Sequence, residues 1–341
     1  MAGYQPPFSI TPLILNQVIT VGELLGRWAA QAERASPLLR KENRIRTIQA
    51  SLAIEQNSLS TQQVTDIIEG KRVLAPPKDI QEVRNALQAY EKLPTLDSTS
   101  RKDLLATHQI LMKGLVDYPG VLRQGEVGIY REKQLIHMAP PANQLNRLVN
   151  ELLDWLKHTD LHPLIASSIF HYEFEFIHPF ADGNGRMGRL WQTLILSQWR
   201  SELAWLPVET LIFKQQQDYY RVLGECDRAS DCTVFISFML EKLIEALNEG
   251  ISEQSAKTDK MSVNMSVKMS VKMSVKPEQG ITRTAAMLLT VLKEQPAATR
   301  SELAEYLGIS LRTIERNLKL LQEKNKIERI GTPRNGHWII T

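Results

Sequence analysis

Cysteine is nearly absent from the chain: Cys226 and Cys232 stand alone, with no His or Cys cluster beside them. A tetrahedral zinc centre takes about four ligands, so these two cannot build one, and they read as reduced thiols. No apolar run approaches the roughly 18 residues of a membrane-spanning helix, which argues against a membrane protein. The opening Met1-Ala2-Gly3-Tyr4-Gln5-Pro6-Pro7 has neither the basic nor the apolar stretch of a secretory signal, and points to the cytoplasm. Charge of one sign is also lacking: a net +3 is too small to argue for nucleic acid. What remains is an ordinary globular composition, 43% hydrophobic and 23% charged, over 341 residues, enough for two or three domains.

Helical spacing dominates. Val18, Val21, Leu24, Leu25 and Trp28 recur at three and four within 14–30, and Ile45, Ile48, Leu52 and Ile54 continue the pattern over 42–55. Ala75-Pro76-Pro77 interrupts it, with Asp79 expected to cap a helix to about 93 and a further helix over 100–115 ending at Tyr118-Pro119-Gly120. Over 127–138 short apolar pairs flank Arg131-Glu132-Lys133-Gln134, a two-stranded hairpin closed by Ala139-Pro140-Pro141-Ala142. Helices return over 144–157, 162–176 and, after a Gly-rich break, through Leu190, Leu194 and Leu196; Asp231 is expected to cap the next, over 233–247.

A fourfold tetrapeptide, Met-Ser-Val-(Asn/Lys), fills 261–276 within a linker over 251–280. Identical units specify no register, so a flexible tether and an oligomer-forming strand both stay open. Beyond it, helices over 284–293 and 301–307 and the turn Gly308-Ile309-Ser310 lead to a helix with Leu311, Ile314, Leu318 and Leu321 on one face. Strand, turn and strand then follow, an order that reads as a winged helix-turn-helix. Ten Lys/Arg against six Asp/Glu give 281–341 about +4. Arg312, Thr313 and Arg316 on the exposed helix side, and Arg334 and Asn335 at the wing tip, suit phosphate and groove contacts. Glu315 and Glu323 weaken that surface, so DNA and protein docking remain alternatives. The expected fold is mainly α with a small β-hairpin: an N-terminal helical region 1–95, a core 96–250, the linker 251–280 and the winged helix 281–341.

The stretch His178-Pro179-Phe180-Ala181-Asp182-Gly183-Asn184-Gly185-Arg186-Met187-Gly188-Arg189 carries chemistry. Gly183 and Gly185 let backbone N–H groups converge on a ligand, and the helix that starts nearby turns its positive end toward the loop. Arg186 and Arg189, three apart, share a helix face, which suits a polyphosphate. Asp182 offers a hard oxygen to Mg²⁺. His178, with an ordinary pKa near about 6.5, suits deprotonation of a hydroxyl. Phe180 reads as an anchor tying the loop to the core.

The stretch resembles the Fic family motif, His-Pro-Phe-x-(Asp/Glu)-Gly-Asn-Gly-Arg-x-x-Arg, at every specified position. The resemblance runs over about 38–247, including His171-Tyr172-Glu173-Phe174-Glu175-Phe176-Ile177 and the hairpin end His137-Met138-Ala139-Pro140-Pro141. It implies a helical Fic core with the hairpin as a flap, and transfer of AMP from ATP to a Ser, Thr or Tyr hydroxyl of a protein, with Mg²⁺. His178 would be the base and Asp182 the metal ligand. Asn184 would hold the α-phosphate, Gly183 and Gly185 an anion hole, Arg186 the phosphate chain and Arg189 the γ-phosphate. The flap, 127–138, would hold a target protein by strand addition. Doc-like kinases of the family carry Ala-Asn-Lys-Arg where this chain has Gly-Asn-Gly-Arg, so AMP transfer is favoured. Asp218-Tyr219-Tyr220-Arg221-Val222-Leu223 resembles the adenine-lining segment, with Tyr220, Leu223 and Asp227 nearest the base.

Ser51-Leu52-Ala53-Ile54-Glu55-Gln56-Asn57 resembles the family's inhibitory motif (Ser/Thr)-x-x-x-Glu-(Gly/Asn), departing at Gln56. The resemblance implies that Glu55 pairs with Arg189 and blocks the γ-phosphate position. The same Glu serves removal of AMP in some relatives, so the reverse reaction stays open. Self-modification is expected, and a homodimer is left open. The competing class is a transcriptional regulator that kept a Fic domain as sensor and binds DNA through 281–341; the intact motif favours the enzyme.

Overall fold

A computed structural model describes residues 4–32, 37–131, 134–252, 281–294, 296, 298–307, 309–330 and 337–340. They fall into two compact units, Met1–Ser252 and Glu253–Thr341. The tetrapeptide repeat, Arg334 and Asn335 lie outside the described residues.

The first unit has one continuous apolar core. α1 (Pro12–Ala32) buries Ile14, Val21, Leu24, Leu25 and Trp28, the expected stripe apart from Val18, which packs half-buried on its margin. α2 (Pro37–Ile54) buries Ile45, Ile48, Leu52 and Ile54, so the helix that carries Glu55 at its end is part of the core. A helix that no periodicity announced, α3 (Thr61–Ile68), follows from a capping box in which Ser60 and Gln63 satisfy each other's backbone N–H groups.

α4 (Pro77–Lys92) starts at Pro77, where a missing N–H costs nothing, with Pro76 at the cap. Asp79 is therefore not the cap: it lies inside the first turn, and its carboxylate accepts from the Ser58 N–H at 3.1 Å and from the Ser58 hydroxyl. α5 (Arg101–Leu111) is capped by Ser100 and stops short of the expected 115, because the chain turns at Met112 and Gly114 has φ 73°. β1 (Gly128–Arg131) and β2 (Gln134–Met138) pair antiparallel, with a register shift between Ile129 and Tyr130.

α6 (Leu145–His158) buries one stripe, whereas α7 (Pro163–Ile177) is apolar on nearly every side, the mark of a central helix. α8 (Asn184–Trp199) packs along α7 and buries Trp191 with its indole N–H donated to the Ser98 carbonyl. α9 (Val208–Lys214) packs on α2, and α10 (Gln216–Ala229) follows. The last helix of the unit, α11, covers 233–252; Cys232, whose carbonyl accepts from the Ile236 N–H at 3.0 Å, holds the cap position, and Asp231, expected there, lies one residue before it and accepts from the Thr233 N–H at 2.8 Å. Cys226 and Cys232 are both buried and free. Among the described residues, no helix is long and apolar enough to cross a membrane.

The second unit has its own core. α12 (Arg283–Glu294), α13 (Arg300–Leu307) and α14 (Leu311–Glu323) precede the antiparallel pair β3 (Ile327–Ile330) and β4 (His337–Ile340). Ser310 caps α14, and Ile314, Leu318 and Leu321 are buried. Leu311 is not part of that stripe; at the first helical position it stays 48% exposed.

Candidate functional site

α7 ends where the chemistry begins. His178 takes a left-handed conformation, φ 48° and ψ 59°, which stops the helix and turns the loop back toward α8. Its N–H still donates to the Phe174 carbonyl at 3.0 Å. Its carbonyl accepts from Arg123 Nε at 2.8 Å. Arg123, buried, also donates to the Pro140 carbonyl at 2.6 Å and to the Gly125 carbonyl at 2.8 Å. One guanidinium thereby ties the His178 turn to the base of the hairpin.

Phe180 is fully buried, the anchor expected of it. Its N–H donates to Asn184 Oδ1 at 2.9 Å, and Asn184 Nδ2 donates back to its carbonyl at 2.8 Å. The Asn184 side chain thus holds the loop closed from within. The Asp182 carboxylate, 51% exposed, accepts from the Gly183 N–H at 2.6 Å and from Arg186 at 2.9 Å, both through Oδ1. Gly183, at φ 86°, caps α8. A Cβ there would collide with Met112 Sδ, so Gly183 answers to both backbone and packing.

Arg186 is buried between two carboxylates, Asp182 and Glu82, each at 2.9 Å. Glu82 also accepts from Asn57 Nδ2 at 2.7 Å, so an unbroken chain of contacts runs from Asn57 through Glu82 and Arg186 to Asp182. Sequence reasoning missed Glu82, since an acid on a helix carries no signal of a partner 104 positions away.

Arg189 is enclosed, with 1% of its side chain exposed. It donates to Glu55 Oε1 at 2.7 Å, to the Ser51 carbonyl at 3.0 Å and to the Ser51 hydroxyl at 3.2 Å. Burial, the largest single influence, would lower its pKa, but the charge and hydrogen bond of Glu55 together with the neighbouring Tyr219 and Tyr220 hydroxyls raise it. Glu55 also lies against the N-terminal turn of α8: a Cβ on Gly185 would overlap Glu55 Oε1. The carboxylate therefore occupies the positive end of the helix, where an anion is favoured.

Gln56 has φ 68°. Gly or Asn is easy in that conformation and other residues are strained, which explains in physical terms why the inhibitory pattern calls for Gly or Asn there. Asn57, one place later, is buried and makes the contact to Glu82.

α10 runs beside this cluster. Gln216 donates to the Ile54 carbonyl at 2.7 Å, and burial followed by the nearby Glu55 charge pushes the Tyr220 hydroxyl above its usual range. Tyr220, Leu223 and Asp227 share one face by spacing. Tyr220 stands at the Glu55 end, while Asp227 accepts from the Tyr172 hydroxyl at 3.0 Å. Behind Arg189, Glu209 is buried and accepts from Thr193 at 3.2 Å and Tyr90 at 3.3 Å; burial pushes its carboxyl up to about 7.

In the second unit Arg312 and Arg316 are exposed on α14, whereas Thr313 is half-buried with its hydroxyl against that of Ser310. Arg300 pairs with Glu315 at 3.3 Å, which reduces the positive surface there. Asn317, on the same helix, is buried, and its amide donates to the Thr313 carbonyl at 2.7 Å.

Residues 98–196 match the model of the Fic/DOC family, and residues 279–336 that of the MarR family. Two curated relatives are named protein adenylyltransferase Fic. The one from Nematostella vectensis is 30% identical over 213 residues, 58% of this chain and 47% of its own length. The one from Aedes aegypti is 28% identical, over 59% of this chain and 40% of its own. The chain thus spans about half the length of the curated relatives it matches. The crystal structure of a Fic family protein from Desulfovibrio desulfuricans G20 is 48% identical, with a TM-score of 0.72, and the match covers 99% of this chain and 98% of that one. With the loop, the capped α8 and the Glu55–Arg189 pair in place, and a relative matched along nearly its whole length, the chain belongs to the Fic family.

Proposed function

We propose that the first unit transfers AMP from ATP to a Ser, Thr or Tyr hydroxyl of a protein. The observation that carries this reading is the carboxylate of Glu55, held by Arg189 and pressed on Gly185 at the head of α8. A site that already stabilises one anion between an enclosed guanidinium and a helix N-terminus is built for a phosphate once that carboxylate leaves. The names of the curated relatives support the same activity.

In this reading His178 takes the proton of the acceptor hydroxyl. The oxygen attacks the α-phosphorus, the bond from that phosphorus to the bridging oxygen breaks, and pyrophosphate leaves with the electron pair. Arg189 holds the terminal phosphate, Gly185 turns its N–H toward the charge that develops while Gly183, its N–H held by Asp182, supplies the tight turn, and Tyr220, Leu223 and Asp227 line the base. Positioning and electrostatic stabilisation supply most of the rate. Asn184 acts mainly by closing the loop, given its two bonds to Phe180.

Asp182 fits Mg²⁺: its carboxylate is half-exposed, and both N–H contacts fall on Oδ1. Mg²⁺ needs only one or two carboxylates when phosphates supply the rest. When bound it neutralises phosphate charge. Glu55 keeps the resting enzyme braked, and the hairpin 127–138 receives the target strand, the chain's own hydroxyls included. The second unit binds DNA, a reading supported by exposed Arg312 and Arg316 and by the MarR family match.

ATP labelled at the α- or the γ-phosphate, followed by intact mass, tests the reaction. Label from the α position with a gain of one AMP is expected. Label from the γ position alone would overturn it. His178→Ala should lower transfer by about a hundredfold or more while ATP binding persists.

A further inference from the structure

We infer that His108 is a positioning residue for the nucleotide site, holding the peptide after Asp182 in its working orientation; the inference rests on the AMP-transfer reading of that site. His108 belongs to α5, 74 positions before Asp182, and the family motif does not include it. Its ring is buried and lies flat on Phe180, with centroids 3.6 Å apart and planes within 4°.

The tautomer follows from the donors around the ring. Gly120 brings its N–H to within 2.8 Å of Nδ1, and an N–H can only be met by a bare nitrogen. The proton therefore sits on Nε2, which donates to the Asp182 carbonyl at 3.0 Å. Gly120 is required for this: its φ is 83°, and a Cβ would meet the Leu105 carbonyl oxygen and Gln109 Cβ, each at 2.9 Å. The Tyr118-Pro119-Gly120 turn, well past the end of α5, thus sets which nitrogen of His108 is the donor.

Asp182 is then fixed at both ends. His108 holds its carbonyl, and the Gly183 N–H and Arg186 hold Oδ1. The same peptide leads into Gly183 and the first turn of α8. Without the Nε2 donor that peptide keeps only the Gly183 N–H contact to Oδ1, its carbonyl loses its anchor, and the carboxylate and the first turn of α8 shift with it. Contacts one layer behind a ligand act on a site in this way.

The full-length chain carrying Glu55→Gly provides the test. His108→Phe keeps the ring stacked on Phe180 and lacks both nitrogens; His108→Gln supplies an N–H near the Nε2 position. The Phe variant should lose about tenfold to a hundredfold in kcat and need several-fold more Mg²⁺ for half-maximal rate. Its KM for ATP should change by less than about threefold, and the Gln variant should recover most of kcat. Unchanged kcat and Mg²⁺ dependence in the Phe variant would overturn the inference, as would a Gln variant no better than Phe.

Should the Phe variant fail to fold, nitrogen NMR of His108 in the unsubstituted chain decides: a proton on Nε2 supports the inference and a proton on Nδ1 sinks it. If Glu55→Gly itself transfers no AMP, the AMP-transfer reading fails. The Mg²⁺ concentration for half-maximal binding of a fluorescent ATP analogue, raised in the Phe variant and restored in the Gln variant, then still supports His108; the same Mg²⁺ dependence in both overturns it.

Discussion

Glu55→Gly separates a braked enzyme from a chance ion pair. The substitution removes a 2.7 Å charge-assisted bond from an arginine with 1% of its side chain exposed. Breaking a fully buried pair costs about 3–5 kcal/mol. Here Glu55 is 30% exposed and Arg189 keeps both bonds to Ser51, so the cost falls to about 1–3 kcal/mol. For a unit of this size that lowers the melting temperature by about 2–4 °C per kcal/mol.

The gain appears with nucleotide. A terminal phosphate that takes the place of the carboxylate makes charge-assisted bonds to Arg189 worth about 1.5–3 kcal/mol, or about tenfold to a hundredfold in affinity or rate. Saturating ATP at about a hundred times Kd adds about 2.7 kcal/mol, enough to offset the lost pair. Transfer of α-label and ATP-dependent melting, run together, read both effects. Glu55→Gly should transfer faster and respond more strongly to ATP, and adding Arg189→Ala should cancel the gain. A folded Glu55→Gly protein with the rate and ATP affinity of the parent refutes the reasoning.

Three further outcomes are expected. Gln56→Gly relieves a left-handed non-glycine residue, so melting should rise by an amount equivalent to about 0.5–1 kcal/mol and basal AMP transfer should fall; no change in either would mean the turn carries no strain. Glu209, pushed up to about 7 by burial, binds a proton more tightly folded than unfolded, so its stabilising contribution is present below about pH 4.5 and lost as pH rises through 7. Relative to Glu209→Gln, the parent should lose about 3 kcal/mol across that window in denaturant titrations; parallel stability curves would contradict the raised pKa. Arg312→Ala with Arg316→Ala should weaken DNA binding in a gel shift and flatten its dependence on log salt by about two units, and an unchanged slope would point to protein docking.

Much of the site is local in the chain and was legible for that reason. His178 to Arg189 form one loop and one helix turn, and the spacing of Gly183, Gly185 and the arginines already describes an anion site. Glu55 was legible only through its resemblance to an inhibitory motif, because nothing in α2 itself says that Arg189 lies against it. Glu82, His108 and Arg123 were illegible: each is an ordinary residue whose contact to the His178–Arg189 stretch lies between 55 and 104 positions away. α3 could have been found from the Ser60–Gln63 box, a signal present in the sequence but passed over. Asp79 misled because an acid after a proline pair looks like a cap, although the proline itself already starts the helix.

The placement of α2 limits how large a motion can release Arg189. Ile45, Ile48, Leu52 and Ile54 are all buried, and withdrawing four aliphatic side chains from the core would cost about 6–12 kcal/mol, comparable to the stability of a whole domain. The helix therefore stays where it is. Glu55, Gln56 and Asn57 begin the six-residue connection from Ile54 to α3, and local opening of so short a segment belongs to the low-energy end of native fluctuations. A partner or modification that holds those three residues aside has to supply a few kcal/mol, on the scale of a single good contact, and the core keeps its full packing while it does so.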